Sequence, residues 1–571
     1  MSTLPKRWVI ATPAPPEILN RYPNMGNVLA QVLYNRGFTD FDEAEHFLNA
    51  DMELSNPFQM KGINQAVARI RQAIKLRELI VVYGDFDADG VTSTTLMVQT
   101  LTALGAVVKP YIPHRVDEGY GLNSEALLRL AHEGVKLVIT VDCGIRSVDE
   151  VEDGKACRLD IIVTDHHTIG PEIPKALAVI NPKQEDCKYP EDMLAGVGVA
   201  FKLADALLRV AKQNRQSPNL EVEDLLDLVA IGTVADLAPM NRAENRALVR
   251  RGLEVINKAK RPGIQALLEV AGVKPGTVTA MNIGFSLGPR INAAGRLESA
   301  MIAYHLLSAQ DYQTALPLAE KLQKLNIERQ DLTRAAQDEV RTWVEAERSD
   351  APLIFASGNF RAGIVGLVAG RLTEEYTRPT VIMEEGETES RASCRSIPQF
   401  DITHALDQCA DLLVRHGGHA QAAGFTVLND NIPALKAELF RLADDILAGQ
   451  DLRPMLEIDV EVDARTLSEK MVYEVARLEP TGYHSPSPVL MSSNLRVLEV
   501  RTVGKEGHHL KLKLARLGQP PLDAIGFGLG DWVNRMPEWV DVAYQLEINE
   551  WNGNRSLQLN LQDIRPADNK R

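Results

Sequence analysis

Four acidic or imidazole-bearing clusters, each placed just after an apolar run, constrain this chain more than any other feature. Asp85-Phe86-Asp87-Ala88-Asp89-Gly90 follows Leu79-Ile80-Val81-Val82, and Asp142 follows Leu137-Val138-Ile139-Thr140-Val141. Asp165-His166-His167 follows Ile161-Ile162-Val163, and Asp236 comes after Leu228-Val229-Ala230-Ile231. Short apolar runs rich in β-branched residues read as buried strands. The carboxylates are therefore expected along one edge of a parallel sheet, where open α/β folds bind their ligands. Acids after strands also serve as helix N-caps and His-His pairs as packing features, but four such clusters coincide poorly with that plainer reading. Within Asp85 to Gly90 the acids alternate, so an extended segment would aim Asp85, Asp87 and Asp89 the same way. Gly90 permits close approach of backbone to a metal or phosphate. Converging oxygen ligands suit hard cations such as Mg2+ and Mn2+. Two such ions about 3.5 to 4 Å apart can bridge a phosphate, activate water and stabilise the entering and leaving oxygens. Phosphoester hydrolysis is the natural use.

The fold class expected is α/β, in several domains, because 571 residues exceed what one hydrophobic core holds. Residues 1–75 form an N-terminal helical segment, in which Tyr34 to Phe47 reads as a short helical piece with Thr39 as its N-cap, serving as packing or a lid. Residues 76–245 alternate strands with helical stretches such as Val91 to Leu104 and Gly198 to Val210, giving βαβ units with helices on both faces. Residues 246–350 form a helical connector, ending in a run from Ala319 to Val344 with apolar residues at helical spacing. A smaller α/β unit over 351–450 has strands at Leu353 to Phe355 and Thr380 to Met383, with a helix near Ile364 to Tyr376 between them. In residues 451–571, alternation at Leu456, Ile458, Val460 and Val462, at Leu510, Leu512 and Leu514, and at Leu557, Leu559 and Leu561 predicts half-buried strands. With Asn552-Gly553 as a hairpin turn and a helix only near Leu467 to Leu478, a small β-barrel fits best.

The net charge of −15 argues against nucleic acid only superficially. Phosphate affinity comes from local Lys and Arg, and a metal site concentrates carboxylates by necessity. Five scattered cysteines, Cys143, Cys157, Cys187, Cys394 and Cys409, suggest neither a disulfide framework nor a zinc knuckle. The N-terminus lacks a secretory pattern and nothing resembles a membrane span, so a cytoplasmic location is expected.

The motif set resembles that of the DHH phosphoesterases. It is carried by Asp165-His166-His167, by Asp85 to Gly90, by Val141-Asp142-Cys143-Gly144 and by Gly232-Thr233-Val234-Ala235-Asp236. More narrowly, the chain resembles the RecJ family of bacterial 5′→3′ exonucleases specific for single-stranded DNA. Supporting segments are Glu118 to Leu122, Leu194 to Ala200, Gly288 to Arg296 and Gly417 to Gly424. The resemblance implies that Asp87, Asp89, Asp142, His166 and Asp236 hold two Mn2+ or Mg2+ ions, with Asp85 close behind and His167 facing the scissile phosphate. It implies DNA-backbone contacts from Arg115, Tyr120, Arg290, Asn292, Arg296, Arg395 and Ser396, and a cleft lined by Gly417, Gly418 and His419. Guanidinium forks suit phosphate geometry. The barrel would be an OB fold, with Lys511, Lys513, Trp551 and Arg555 as candidates for binding single strands.

Departures from the family pattern are Arg361, where relatives carry His in a Trp-His-x-Gly sequence, and Tyr83, where many DHH enzymes have a metal-binding His. Thr481-Gly482-Tyr483-His484-Ser485-Pro486 replaces a more typical Phe-Gly-x-Gly-Asn-Pro stretch. The expected activity is two-metal hydrolysis of single strands from the 5′ end to 5′-mononucleotides in repair and recombination. Single-strand selectivity would come from a passage between the two α/β units too narrow for duplex. Single-strand-binding protein and a helicase are the expected partners. The competing readings are a small-molecule or short-oligonucleotide phosphohydrolase of the same superfamily, which needs no barrel, and a non-catalytic DNA-binding scaffold. Converging carboxylates without metal would repel one another and DNA, which opposes the scaffold.

Overall fold

The computed structural model describes residues 4–115, 117–347, 351–504, 507–516, 520–551 and 554–567. Its first sheet is parallel, in the order Val107–Tyr111, Leu79–Gly84, Val135–Val141, Asp160–Thr164, Ala178–Ile180. Side chains alternate across it. Ile80, Val82, Ile139 and Val141 enter the core on one face, and Val81, Tyr83, Val138 and Val163 enter that on the other. The strand order reverses between Leu79–Gly84 and Val135–Val141. A crevice opens at such a switch point because the flanking helices diverge to opposite faces. Asp85 and Asp142 follow these two strands.

Several expectations are corrected. The run Leu228 to Ile231 is not a strand but part of the helix Leu226–Ala235, buried on nearly every side; periodicity cannot separate a buried strand from an all-apolar helix. The acids of Asp85 to Gly90 do not share one extended face, because the helix Ala88–Ala103 begins within the motif, with Asp87 as N-cap accepting from Asp89 N and Gly90 N. Asp40, not Thr39, caps the helix Phe41–Asn49. The helices following residue 246 are not a separate connector, since Ile256, Ile264, Leu287 and Leu306 share the core of the parallel sheet, as do Ile63, Val67 and Ile70 before it. Only the far end of the long helix Tyr312–Glu347 departs, with Ala336 and Val340 packed on the second α/β unit.

That unit has five strands in the order Leu413–His419, Ala422–Leu428, Glu389–Arg395, Thr380–Glu384, Ile354–Gly358. In the C-terminal sheet, Leu490–Val503 pairs with both His509–Ala515 and Trp539–Trp551, so the strands close into a barrel. The expected turn at Asn552-Gly553 lies outside the described residues. The N-terminal segment is not purely helical, because Arg7–Ile10 pairs in parallel with Met455–Ile458. Its helices pack against the barrel side of the molecule: Val28 joins the barrel core, and Leu29 and Leu33 cluster with Leu478. Arg246 ties these parts together. Fully buried, it donates to the carbonyls of Phe47 at 2.6 Å, Pro480 at 2.8 Å, and Leu478 and Glu479 at 2.9 Å. No helix among the described residues is long and apolar enough to cross a membrane.

Candidate active site

The acidic clusters converge beyond the C-terminal ends of the parallel strands. Three sets of side chains each bring ligand atoms within 4.8 Å of one another: Asp85, Asp87 and Asp142; Asp142, His166 and His167; and Asp89, His166 and Asp236. Asp89, on the first turn of its helix, accepts from Gly196 N at 2.7 Å and Val197 N at 2.8 Å, the N-terminal amides of the helix Gly196–Gln213. A helix N-terminus favours an anion there. Position 196 admits only glycine, since a Cβ would lie 2.6 Å from the Asp142 side chain. Gly90 is equally constrained, because a Cβ there would lie 2.4 Å from the Asp85 carbonyl oxygen. Asp142 itself sits at φ 61°, left-handed strain of a kind stored at functional sites.

Electrostatically the site is unsettled. Burial and the neighbouring carboxylates push Asp85, Asp142 and Asp236 well above the usual carboxylate range and Asp89 up to about 7. Asp85 Oδ1, Asp142 Oδ1 and His166 Nε2 are buried without a hydrogen bond, although His166 Nε2 lies 3.1 Å from Asp142 Oδ1. Burial and the adjacent His167 push His166 down to about 3, keeping its imidazole neutral, the form that ligates metals. Buried carboxylates and a neutral imidazole, orphaned together, are the donor set of a divalent cation site. Asp236 reaches the cluster as the C-cap of the helix Leu226–Ala235, 3.7 Å from His166 Nδ1.

Asp165 does different work. Its Oδ1 accepts from the backbone N–H of His166 and His167 and from His167 Nδ1 at 2.7 Å, and its Oδ2 accepts from Ile145 N. Despite burial, these bonds hold its carboxyl below the usual range, and they hold the His167 imidazole above its own. The Tyr120 hydroxyl lies 3.1 Å from His167 Nδ1 and 3.3 Å from Nε2. Lys183, which the sequence reading missed, donates to the His166 carbonyl at 2.5 Å and faces Asp236. Its signal was the same strand-end placement, after Ala178–Ile180.

Beside Asp85 and Asp87 stands a group of arginines held by carbonyls rather than carboxylates. Arg115 donates to Gly295 O at 3.2 Å and lies 3.7 Å above the Phe86 ring. Arg296 donates to Gly363 O at 3.1 Å, across the seam between the α/β units. Arg395 donates to Cys394 O and Ser393 Oγ. Burial, with Arg115 and Arg329 nearby, lowers Arg296 to about 9. Arg329, also unforeseen, keeps a buried Nε without a partner. Arg290 is fixed by Gln323 Oε1 and Ser286 O.

Other expected contacts fall elsewhere. Asn292 Oδ1 accepts from Ala88 N at 2.7 Å, so it braces the metal-side turn. Ser396 is buried and donates to Phe400 O. Gly417, Gly418 and His419 lie exposed on the edge strand of the second sheet, where they pair with Gly424, Ala423 and Ala422. His419 belongs to none of the three ligand sets found among the described residues. Arg361 pairs with Glu328 at 3.0 Å, and Tyr83 is buried with its hydroxyl donating to Gly121 O. On the barrel, Lys513 pairs with Glu499 at 3.0 Å, Lys511 donates to Gln558 Oε1 at 2.8 Å, and Arg555 lies 3.6 Å from Glu550 and 3.7 Å from Glu469. The Trp551 side chain lies outside the described residues.

Comparison with known proteins agrees with this fold. Residues 79–233 match the DHH family, N-terminal domain, residues 350–447 the DHHA1 domain, and residues 458–563 the RecJ OB domain. The single-stranded-DNA-specific exonuclease RecJ of Bacillus subtilis is 38% identical over 565 residues, covering 98% of this chain and 70% of that protein. The Escherichia coli protein of the same name is 36% identical, covering 94% and 96%. The crystal structure of RecJ from Thermus thermophilus in complex with Mn2+ superposes with a TM-score of 0.84 at 31% identity, covering 98% of this chain and 80% of that one. With these three domain matches and relatives more than 30% identical over nearly the whole chain, the chain belongs to the RecJ family of DHH phosphoesterases.

Proposed function

We propose that the chain is a metal-dependent exonuclease that degrades single-stranded DNA from its 5′ end to 5′-mononucleotides in repair and recombination. The observation that carries this reading is the orphaned set Asp85 Oδ1, Asp142 Oδ1 and His166 Nε2, among carboxylates that burial raises well above their usual range. In this reading Asp87, Asp89, Asp142, His166 and Asp236 hold two divalent ions, Mn2+ or Mg2+, with Asp85 behind them. When bound, such ions polarise the phosphoryl group and lower the pKa of water.

The chain's own residues do the rest. His167 Nδ1 lies 2.7 Å from Asp165 Oδ1, a contact that raises the imidazole above its usual range, and in its protonated form the ring can donate from Nε2 to a non-bridging phosphate oxygen. Asp165 orients the ring, as second partners of catalytic imidazoles do. Arg115, Arg296 and Arg395 offer remaining N–H donors to backbone phosphates, and the seam closed by Arg296 and Gly363 favours a single strand over duplex. Of the expected division, a DHHA1 unit at 351–450 and a barrel at 451–571 belong to this reading, with the helices after residue 246 joined to the DHH unit through one core. So do a cytoplasmic location and single-strand-binding protein and a helicase as partners.

The test is digestion of 5′-labelled and 3′-labelled single-stranded and duplex DNA with Mn2+, Mg2+ or EDTA. Metal-dependent mononucleotide release from the 5′ end of single strands is expected. Hydrolysis of short substrates alone would replace the reading with a small phosphohydrolase, and binding without cleavage would replace it with a scaffold.

A further inference from the structure

On the side of the parallel sheet away from the acidic cluster lies a groove of a different kind. The helix Ile63–Leu76 leads into the strand Leu79–Gly84, so its last turn stands at the edge where the parallel strands begin. The helix Gly196–Gln213 starts at Asp89 and runs back toward that edge, with about 16 Å of helical rise between Gly196 and Leu207. Between the two helices is a cavity of about 590 Å³. Its floor is apolar: Leu207 is buried, and Ile74 and Leu104 are half-buried against the core of the sheet. Arg71, Lys75 and Gln216 stand exposed around it.

The charge of this wall runs against that of the chain. The net charge is −15, and exposed cations elsewhere face carboxylates, as Lys61 faces Asp186 and Lys212 faces Glu221. Among the described residues neither Arg71 nor Lys75 has such a partner, and no carboxylate lines the cavity. A cation in the last turn of a helix complements the dipole, which accounts for Lys75. It accounts neither for Arg71 a turn earlier nor for the apolar floor beside them. Arg71 and Lys75, four residues apart on one helix, have Cβ atoms about 5–6 Å apart. Two carboxylates one turn apart on another helix have the same spacing. A nucleic-acid backbone needs a longer track of cations than this. A helix laid into a groove uses its apolar stripe for the floor and its flanks for charge, which is the division of labour found here.

We propose that this groove docks an acidic amphipathic helix of a partner protein, with apolar side chains over Ile74 and Leu104 and two carboxylates one turn apart against Arg71 and Lys75. The groove and the acidic cluster lie at opposite edges of the sheet, so a partner held here leaves the cleft open to its substrate. The inference goes beyond the exonuclease reading and does not depend on it.

The experiment titrates the full chain into a fluorescein-labelled helical peptide of about 18 residues, with glutamates one turn apart beside a leucine stripe, and reads fluorescence anisotropy. Saturable binding is expected. Arg71→Glu combined with Lys75→Glu should weaken it at least about ten-fold, and Gln216→Trp, which fills the groove, should weaken it as well. Neither variant should change the rate at which single strands are cut. Peptides with lysine in place of glutamate, or serine in place of leucine, should not bind. Absence of saturable binding to the unaltered chain, or equal binding to the charge-reversed one, would overturn the proposal. So would a charge-reversed chain that loses affinity for single-stranded DNA, which would make the groove a nucleic-acid track. A dimer of the unaltered chain that dissociates on charge reversal, seen by sedimentation velocity, would overturn it too and make the groove a contact between copies.

Discussion

Two groups of cations meet single strands in this reading, and the structure treats them oppositely. At the cleft, Arg115, Arg296 and Arg395 are anchored by carbonyl and hydroxyl oxygens, which orient a guanidinium without neutralising it. On the barrel, Lys513 and Arg555 face carboxylates, and Lys511 donates to Gln558 with Asp523 4.0 Å away. The cleft arginines repel one another and stay partly desolvated until an anion arrives. The barrel cations are already satisfied. A basic residue thus marks a phosphate site by what holds it, not by its charge alone.

The sharpest break of this picture lies on the acidic side of the cleft. Asp142→Ala or Asp236→Ala, shown to be folded by circular dichroism, should abolish cleavage; a normal rate in either would remove the two-metal assignment. Arg296→Ala comes next. Losing a charge-assisted contact costs about 1.5–3 kcal/mol, so kcat/KM on single strands should fall roughly 10- to 100-fold, with a shallower salt dependence of binding.

The third prediction concerns pH. Asp89 is raised to about 7, and Asp85, Asp142 and Asp236 are raised as well. Above about pH 4, where an unfolded chain loses its carboxyl protons, the metal-free native state still holds them. Its stability therefore falls as pH rises toward 7 and beyond. A divalent cation replaces those protons, so Mn2+ should raise Tm more at pH 8 than at pH 6; the reverse order in a melting series would contradict the raised carboxylates. The smallest effect belongs to the barrel. Lys513→Ala breaks an exposed pair worth about 0.2–1 kcal/mol, and strand affinity should change less than about five-fold by that measure. A loss there as large as that of Arg296→Ala would erase the contrast between the two groups.

The sequence by itself determined the strand-end placement of Asp85, Asp142 and Asp165-His166-His167, because β-branched runs and the residues that end them are local patterns. It also carried the long helix and the alternating strands of the barrel. Tertiary structure decided the rest. Asp236 arrives from a helix whose apolar residues are indistinguishable from a buried strand until their neighbours are known. Asn292 and Ser396, which the family resemblance alone assigned to the DNA backbone, spend their side chains on Ala88 N and Phe400 O. Arg329 carries no local signature and Lys183 only its place after a strand, yet packing brings one among the arginines and the other to Asp236. The physical reason is the range of the forces involved. Periodicity and capping act within a few residues, whereas the partner that satisfies or leaves bare a charged group is chosen by contacts between segments far apart in the chain.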